Sequence, residues 1–162
     1  MKVLEYDRTA ATLYAKQWAY KRNPAFYDFS NLGGDCTNFA SQCIYAGAKI
    51  MNYTPTYGWF YTNLNSRTPS WTGVEYLYNF LTSNDGVGPF AKEVPLTELQ
   101  PGDIVQLGRE TGDFYHSPFV VRVANGQIYV AAHSYDAYNK PLSSYNFARA
   151  RGIHISGVRK ED

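Results

Sequence analysis

An α+β domain with its helices first and its antiparallel strands second is what this sequence predicts, and two contrasts carry the prediction. In the first half, apolar residues recur at helical spacing, at Ala10, Ala11, Tyr14 and Trp18 and again at Phe39, Ala40, Cys43 and Ile44. In the second half they alternate in short runs set off by Pro101-Gly102 and Asn125-Gly126 turns. Strands that follow helices in a block exclude an alternating βαβ fold. The 162 residues suit one domain, and a chain of that length buries roughly 70% of the surface its unfolded form exposes, so it needs no metal or disulfide staple.

The first helix is expected over residues 7–20, with Asp7 as its cap and Asn23-Pro24 beyond its end. A second starts near Asp35-Cys36, behind the turn-forming Asn31-Leu32-Gly33-Gly34, and closes at Gly47. Thr72-Gly73-Val74-Glu75 has capping-box spacing and opens a third helix, with Val74, Leu77, Tyr78 and Leu81 on one stripe. Residues 50–71, in between, show no clean period and read as a long surface excursion, which in a compact domain is usually functional. Gln100-Pro101-Gly102 turns the chain into a short strand over 103–107. A hairpin follows, 116–124 against 127–133, about Asn125-Gly126, the strongest short signal for a two-residue type I′ turn. Residues 152–158 close the sheet.

Composition removes several function classes. With 18% charged residues, a net charge of +1 and its Lys and Arg scattered, the chain has no electrostatic footprint for nucleic acid or an anionic membrane. A 44% hydrophobic content with 15 tyrosines is globular, not disordered. The stretch over 30–48 is interrupted by Gly, Asp, Asn and Gln, and a membrane span needs about 20 mostly apolar residues. The start, Met1-Lys2-Val3-Leu4-Glu5, lacks the apolar run of a secretory signal, so the chain is either cytosolic or a domain trimmed from an exported protein. Its few charges and many tyrosines favour the second, with an extracellular or cell-wall location. A monomer is expected. Cys36 and Cys43, seven apart on one helix, have Cα atoms about 10 Å apart and remain free thiols.

Cys36 falls in the first turn of its helix, where unpaired N–H groups and the positive dipole end favour a thiolate and would face an oxyanion. Cys43, two turns on, belongs to the core. With Asn125-Gly126 as the turn, Val121 pairs with Val130 and Pro118 with His133. Alternation then places His116 and His133 on one face, roughly 7–8 Å apart, and Phe119, Val121, Val123, Ile128, Val130 and Ala132 on the other. The expected constellation is Cys36 as nucleophile, His116 as base and acid, and His133 holding the His116 ring. Asp136 is the rival for the last role. Asp35 caps the helix or supports the turn and the oxyanion region. Trp59, Tyr61 and Trp71 are candidates for a sugar- or peptide-stacking groove, with core packing the competing reading. His154 alternates with Ile153 and Ile155, points to solvent or the sheet edge, and has no assigned role. No cofactor is called for, because the spacings of Cys36, His116 and His133 match no zinc motif.

The run Gly33-Gly34-Asp35-Cys36-Thr37-Asn38-Phe39-Ala40-Ser41-Gln42-Cys43 resembles the signature of the Putative amidase domain family, a papain-like branch related to the NlpC-type and CHAP cell-wall hydrolases. The resemblance extends from Tyr6-Asp7-Arg8-Thr9 through Ser70-Trp71-Thr72, Leu99-Gln100-Pro101-Gly102-Asp103 and His116-Ser117 to His133, Asp136 and Pro141-Leu142. It implies a papain-like α+β core with Cys36 and His116 at the catalytic positions and His133 as the third polar residue. It also implies cleavage of an amide bond in peptidoglycan, in the stem peptide or at its junction with the glycan. A binding module on the same shell, and an acyltransferase using the same triad, are the alternatives. One departure is Pro118, which removes a ladder donor and should bend the strand or place it at an edge.

Overall fold

The computed structural model describes all 162 residues and has the expected α+β order. A short strand β1 (Lys2–Leu4) leads into helix α1 (Arg8–Trp18), whose N-cap Asp7 accepts from the Ala10 N–H. Helix α2 (Cys36–Ala48) begins on Cys36 and ends at Lys49, a left-handed residue, not at Gly47. Gly47 has another use: a Cβ there would meet the Asp7 carbonyl and the Tyr6 ring, each at 2.6 Å, so glycine lets α1 and α2 approach.

The expected capping box is not formed. Thr72 ends a single-turn helix α3 (Pro69–Thr72), and its hydroxyl accepts from Arg67 Nε instead; helix α4 (Val74–Ser83) starts behind Gly73 without a side-chain cap. Residues 50–71 carry an Asn52–Trp59 bridge and a small ladder of β2 (Tyr61–Asn63) with β3 (Ser66–Arg67). The segment is no loose excursion, because Trp59, Tyr61 and Trp71 are all buried in the main core.

The rest of the chain builds one antiparallel sheet from β4 (Gly88–Val94), β5 (Ile104–Gly108), β6 (Phe114–His116), β7 (Phe119–Ala124), β8 (Gln127–Ala132), β9 (Ala137–Pro141) and β10 (Arg149–Lys160), together with β1. The order is β1-β10-β5-β7-β8-β9, with β4 on the other edge of β10 and β6 beside β5. Two details correct the predicted hairpin. At Ser117-Pro118 the strand divides into β6 and β7, as a residue without an N–H requires. A bulge at Val121 then shifts the register, so that Phe119 pairs with Ala131 and Val120 with Val130. The predicted apolar stripe is thereby split. Phe119 and Ala131 face the helices with Ile104, Ile153 and Ile155, while Val120 and Val130 join Val105, Leu107 and Leu142 in a smaller cluster on the far face.

Asp103, fully buried, fastens α1 to the sheet. Its carboxylate accepts from Arg8 Nη1 at 2.8 Å, the Ile155 N–H at 3.0 Å, the Gln100 N–H at 2.9 Å and His154 Nδ1 at 2.9 Å. His154 is therefore a structural partner and not the idle solvent-facing residue its alternation implied. Replacing Asp103 with Ala strands four donors, one of them a guanidinium, and is expected to cost about 3 kcal/mol or more, read as a lowered urea midpoint with an unchanged slope.

Candidate active site

The site is built on the first turn of α2. Every polar residue on the first two turns is buried and paired: Thr37 to Ser117, Asn38 to Asp35 and the Tyr27 carbonyl, Ser41 to the Trp71 carbonyl and Gln42 to Tyr14. The indole N–H of Trp71 donates to Asn38 at 3.0 Å, and that of Trp59 to Ser41 at 3.2 Å. These tryptophans, with Tyr61, therefore hold the helix from below. The expectation of a groove formed by Trp59, Tyr61 and Trp71 is corrected: their ring area is spent on packing, and Phe26 stacks on Trp71 besides.

Asp35, one residue before Cys36, is buried and does not cap α2. Its Oδ1 accepts from the Phe29 N–H at 2.8 Å and from Asn38 Nδ2 at 2.9 Å, while its Oδ2 meets His133 Nδ1 at 2.5 Å. The guanidinium of Arg22 stands behind, 3.6 Å from Asp35, and grips Asp136 through two hydrogen bonds of 2.9 and 3.1 Å. With the carboxylate turned away, Asp35 makes no side-chain cap to the first turn of the helix.

His133 is fully committed. Its Nε2 donates to the Trp18 carbonyl at 2.8 Å, its Nδ1 faces Asp35, and its ring stacks on Phe39 at 4.0 Å. Neither nitrogen is left for His116, and Asp136 is taken by Arg22. The structure thus gathers Asp35, His133 and Asp136 on one side of Cys36 and does not bring His133 or Asp136 onto His116. The reason is the hairpin itself. The chain turns away at Ala132, which pairs with Ala137, so His133 is the first residue of a turn and not a partner of Pro118. Arg22, Ser117 and Ser134 were not read from the sequence, because each works through a neighbour distant in the chain.

His116 ends β6, where it pairs with Leu107 and its ring lies 5.9 Å from that of Tyr145. Ser117, the next residue, sets its main-chain N–H toward the Cys36 sulfur and its hydroxyl 3.3 Å from that of Thr37, which lies 3.7 Å from Cys36 Sγ. Gln106 Nε2 anchors Ser117 from beneath, at 3.1 Å. Burial raises the Cys36 thiol above its ordinary value, outweighing the Thr37 hydroxyl and the Ser117 and Thr37 N–H groups that favour the thiolate. The expected thiolate preference is reversed. Burial also pushes His116 down from 6.5 to about 4, with the Lys140 charge adding to it, so the imidazole is neutral at pH 7. Cys36 thus rests as a thiol and His116 as a neutral imidazole, with no hydrogen bond between them. Cys36, His116 and His133 do not assemble into a metal-holding group, and both cysteines are free.

Two curated proteins of Bacillus subtilis (strain 168) are similar to this chain. Uncharacterized protein YhbB is 36% identical over 140 residues, covering 84% of this chain and 44% of that one. Uncharacterized protein YjcM is 22% identical over 162 residues, covering 95% and 37%. The chain therefore spans less than half the length of these relatives. No solved structure matches it significantly. The family model described as Putative amidase domain matches residues 5–156, which takes in α1, α2, the Asp35 cluster and the His116 strand; the chain belongs to this family of amide hydrolases.

Proposed function

We propose that this domain is a cysteine-dependent amide hydrolase acting on peptidoglycan, in the stem peptide or at its junction with the glycan. The observation that carries the mechanism is the meeting of two chain segments: the open first turn of α2, bearing Cys36, and the end of β6, where His116 is followed by a Ser117 N–H aimed at the sulfur. The substrate reading rests on the likeness of the motif order to cell-wall hydrolases, and a weakly charged, tyrosine-rich chain suits a glycopeptide ligand. An extracellular or wall location and a monomeric state go with that reading. No helix is long and apolar enough to cross a membrane.

The chemistry follows from a neutral resting pair. As the sulfur attacks the carbonyl carbon, His116 takes the thiol proton, so charge is created only when there is an electrophile to receive it. The N–H groups at the start of α2 hold the oxyanion. His116 returns the proton to the departing amine, leaving a thioester. Water, deprotonated by His116, then attacks the thioester and releases the acid, and the sulfur regains its proton. A competing reading, a binding module without turnover, draws support from one feature: no side chain hydrogen-bonds to His116 to orient it.

Digestion of purified peptidoglycan with mass analysis of the fragments separates these readings. New free amino groups without new reducing ends are expected. Cys36→Ala should abolish them, and His116→Gln should slow their appearance roughly a hundred- to ten-thousandfold. Undiminished lysis by Cys36→Ala, or new reducing ends alone, would contradict the proposal.

The depressed His116 value also links stability to pH. Between pH 6.5 and about 4 the unfolded chain binds the proton that the folded chain refuses, so this contribution is intact above 6.5 and is lost as the pH falls through that window. The loss is at most about 3 kcal/mol. Urea titrations at about pH 7 and about pH 4 should show a smaller drop for His116→Phe than for the wild type, and equal drops would place the imidazole in water.

A further inference from the structure

The turn joining β8 to β9 is four residues long, and three of them are anchored to the residues that frame Cys36. His133 holds the Asp35 carboxylate, Ser134 Oγ accepts from the Asp35 main-chain N–H at 3.1 Å, and Asp136 is paired with Arg22. The fourth, Tyr135, is 97% exposed. Its backbone is left-handed, φ +64°, next to Ser134 at φ +62°. Side chains with a Cβ rarely adopt this region, least of all a bulky one. The neighbouring hairpin makes its two left-handed residues from Asn125 and Gly126, the types suited to it. Here a tyrosine stands where asparagine or glycine would be easier, and its ring packs on nothing that would offset the strain.

The turn that carries the ring nevertheless adjoins the residues just before Cys36. It is clasped to Gly34 and Asp35, with Ser134 Oγ 3.6 Å from where a Gly34 Cβ would stand. A Cβ built on Gly33 meets nothing within 4 Å, so open space lies over the loop that delivers Cys36. The charges at its root, Arg22 and Asp136, are already paired with each other. Local strain that the surroundings enforce and the fold does not use points to a ligand.

We propose that Tyr135 is a substrate-contacting residue of the Cys36 cleft, its ring covering the apolar face of an uncharged group that adjoins the scissile amide; this role rests on the hydrolase reading above. The test uses soluble muropeptides and the same peptides without sugar, with the wild type, Tyr135→Asn, Tyr135→Phe and Cys36→Ala. Asparagine tolerates the left-handed backbone, so Tyr135→Asn should melt roughly 2 °C higher or more while KM rises about three- to tenfold and kcat holds. Tyr135→Phe should keep the wild-type KM. A KM change confined to the sugar-bearing substrate assigns the contact to the glycan, and one seen with both assigns it to the peptide. An unchanged KM with a raised melting point overturns the proposal, and so does a lowered melting point, which would mean that the ring serves the fold. Turnover surviving in Cys36→Ala, or no turnover by the wild type, overturns the hydrolase reading, and this one with it.

Discussion

The interaction on which the candidate site depends is the burial of the Asp35 carboxylate immediately ahead of Cys36. An ionised carboxylate in a protein interior costs several kcal/mol unless hydrogen bonds and opposite charge surround it. Asp35 meets that demand with donors from three stretches of chain: Phe29 from the loop before α2, Asn38 from the helix, and His133 from the β8–β9 turn, with Arg22 behind them. None of these groups can leave without exposing the others to the same penalty. The start of α2 is therefore fixed by an electrostatic requirement, and Cys36 takes its position from it.

Beneath that cluster the helix is supported by rings and neutral polar groups. A helix buried on all sides needs partners for every hydroxyl and amide it carries, and α2 finds them in the two indole N–H groups, Tyr14, a Trp71 carbonyl and Ser117. This gives the low charge and high aromatic content a structural cause. The interior is organised by amides, hydroxyls and indoles, which can be satisfied in pairs without the desolvation cost that ions carry.

Much of this was legible in the sequence, and the parts that were not share a cause. Helix α1, the start of α2, the strand after Pro101-Gly102 and the Asn125-Gly126 turn follow from local chemistry: caps, periodicity and left-handed turn residues. Strand β4 was missed because Gly88, Pro89, Lys92 and Glu93 spoil its alternation, as expected of a strand on the outer side of β10. The single extra residue at Val121 was invisible, yet it changes the face of every residue before it in β7. That slip, together with the turn that begins at His133, is why His133 does not oppose Pro118 and face His116. The place of Cys36 at a helix start was readable, whereas His116, read as opening a strand, ends one, because Pro118 divides that strand in two. The Asp35 cluster was not readable, because the bond that closes it, between Asp35 and His133, joins residues 98 positions apart.

The un-ionised state of Cys36 has a consequence for durability. Peroxides and disulfides react with thiolates and scarcely with thiols. By raising the Cys36 proton affinity through burial, the fold keeps this sulfur in the less reactive thiol form. The sulfur is in effect stored with a safety catch, set by burial although the residue is only half-buried. The same surroundings that make the thiol reluctant to ionise slow its oxidation.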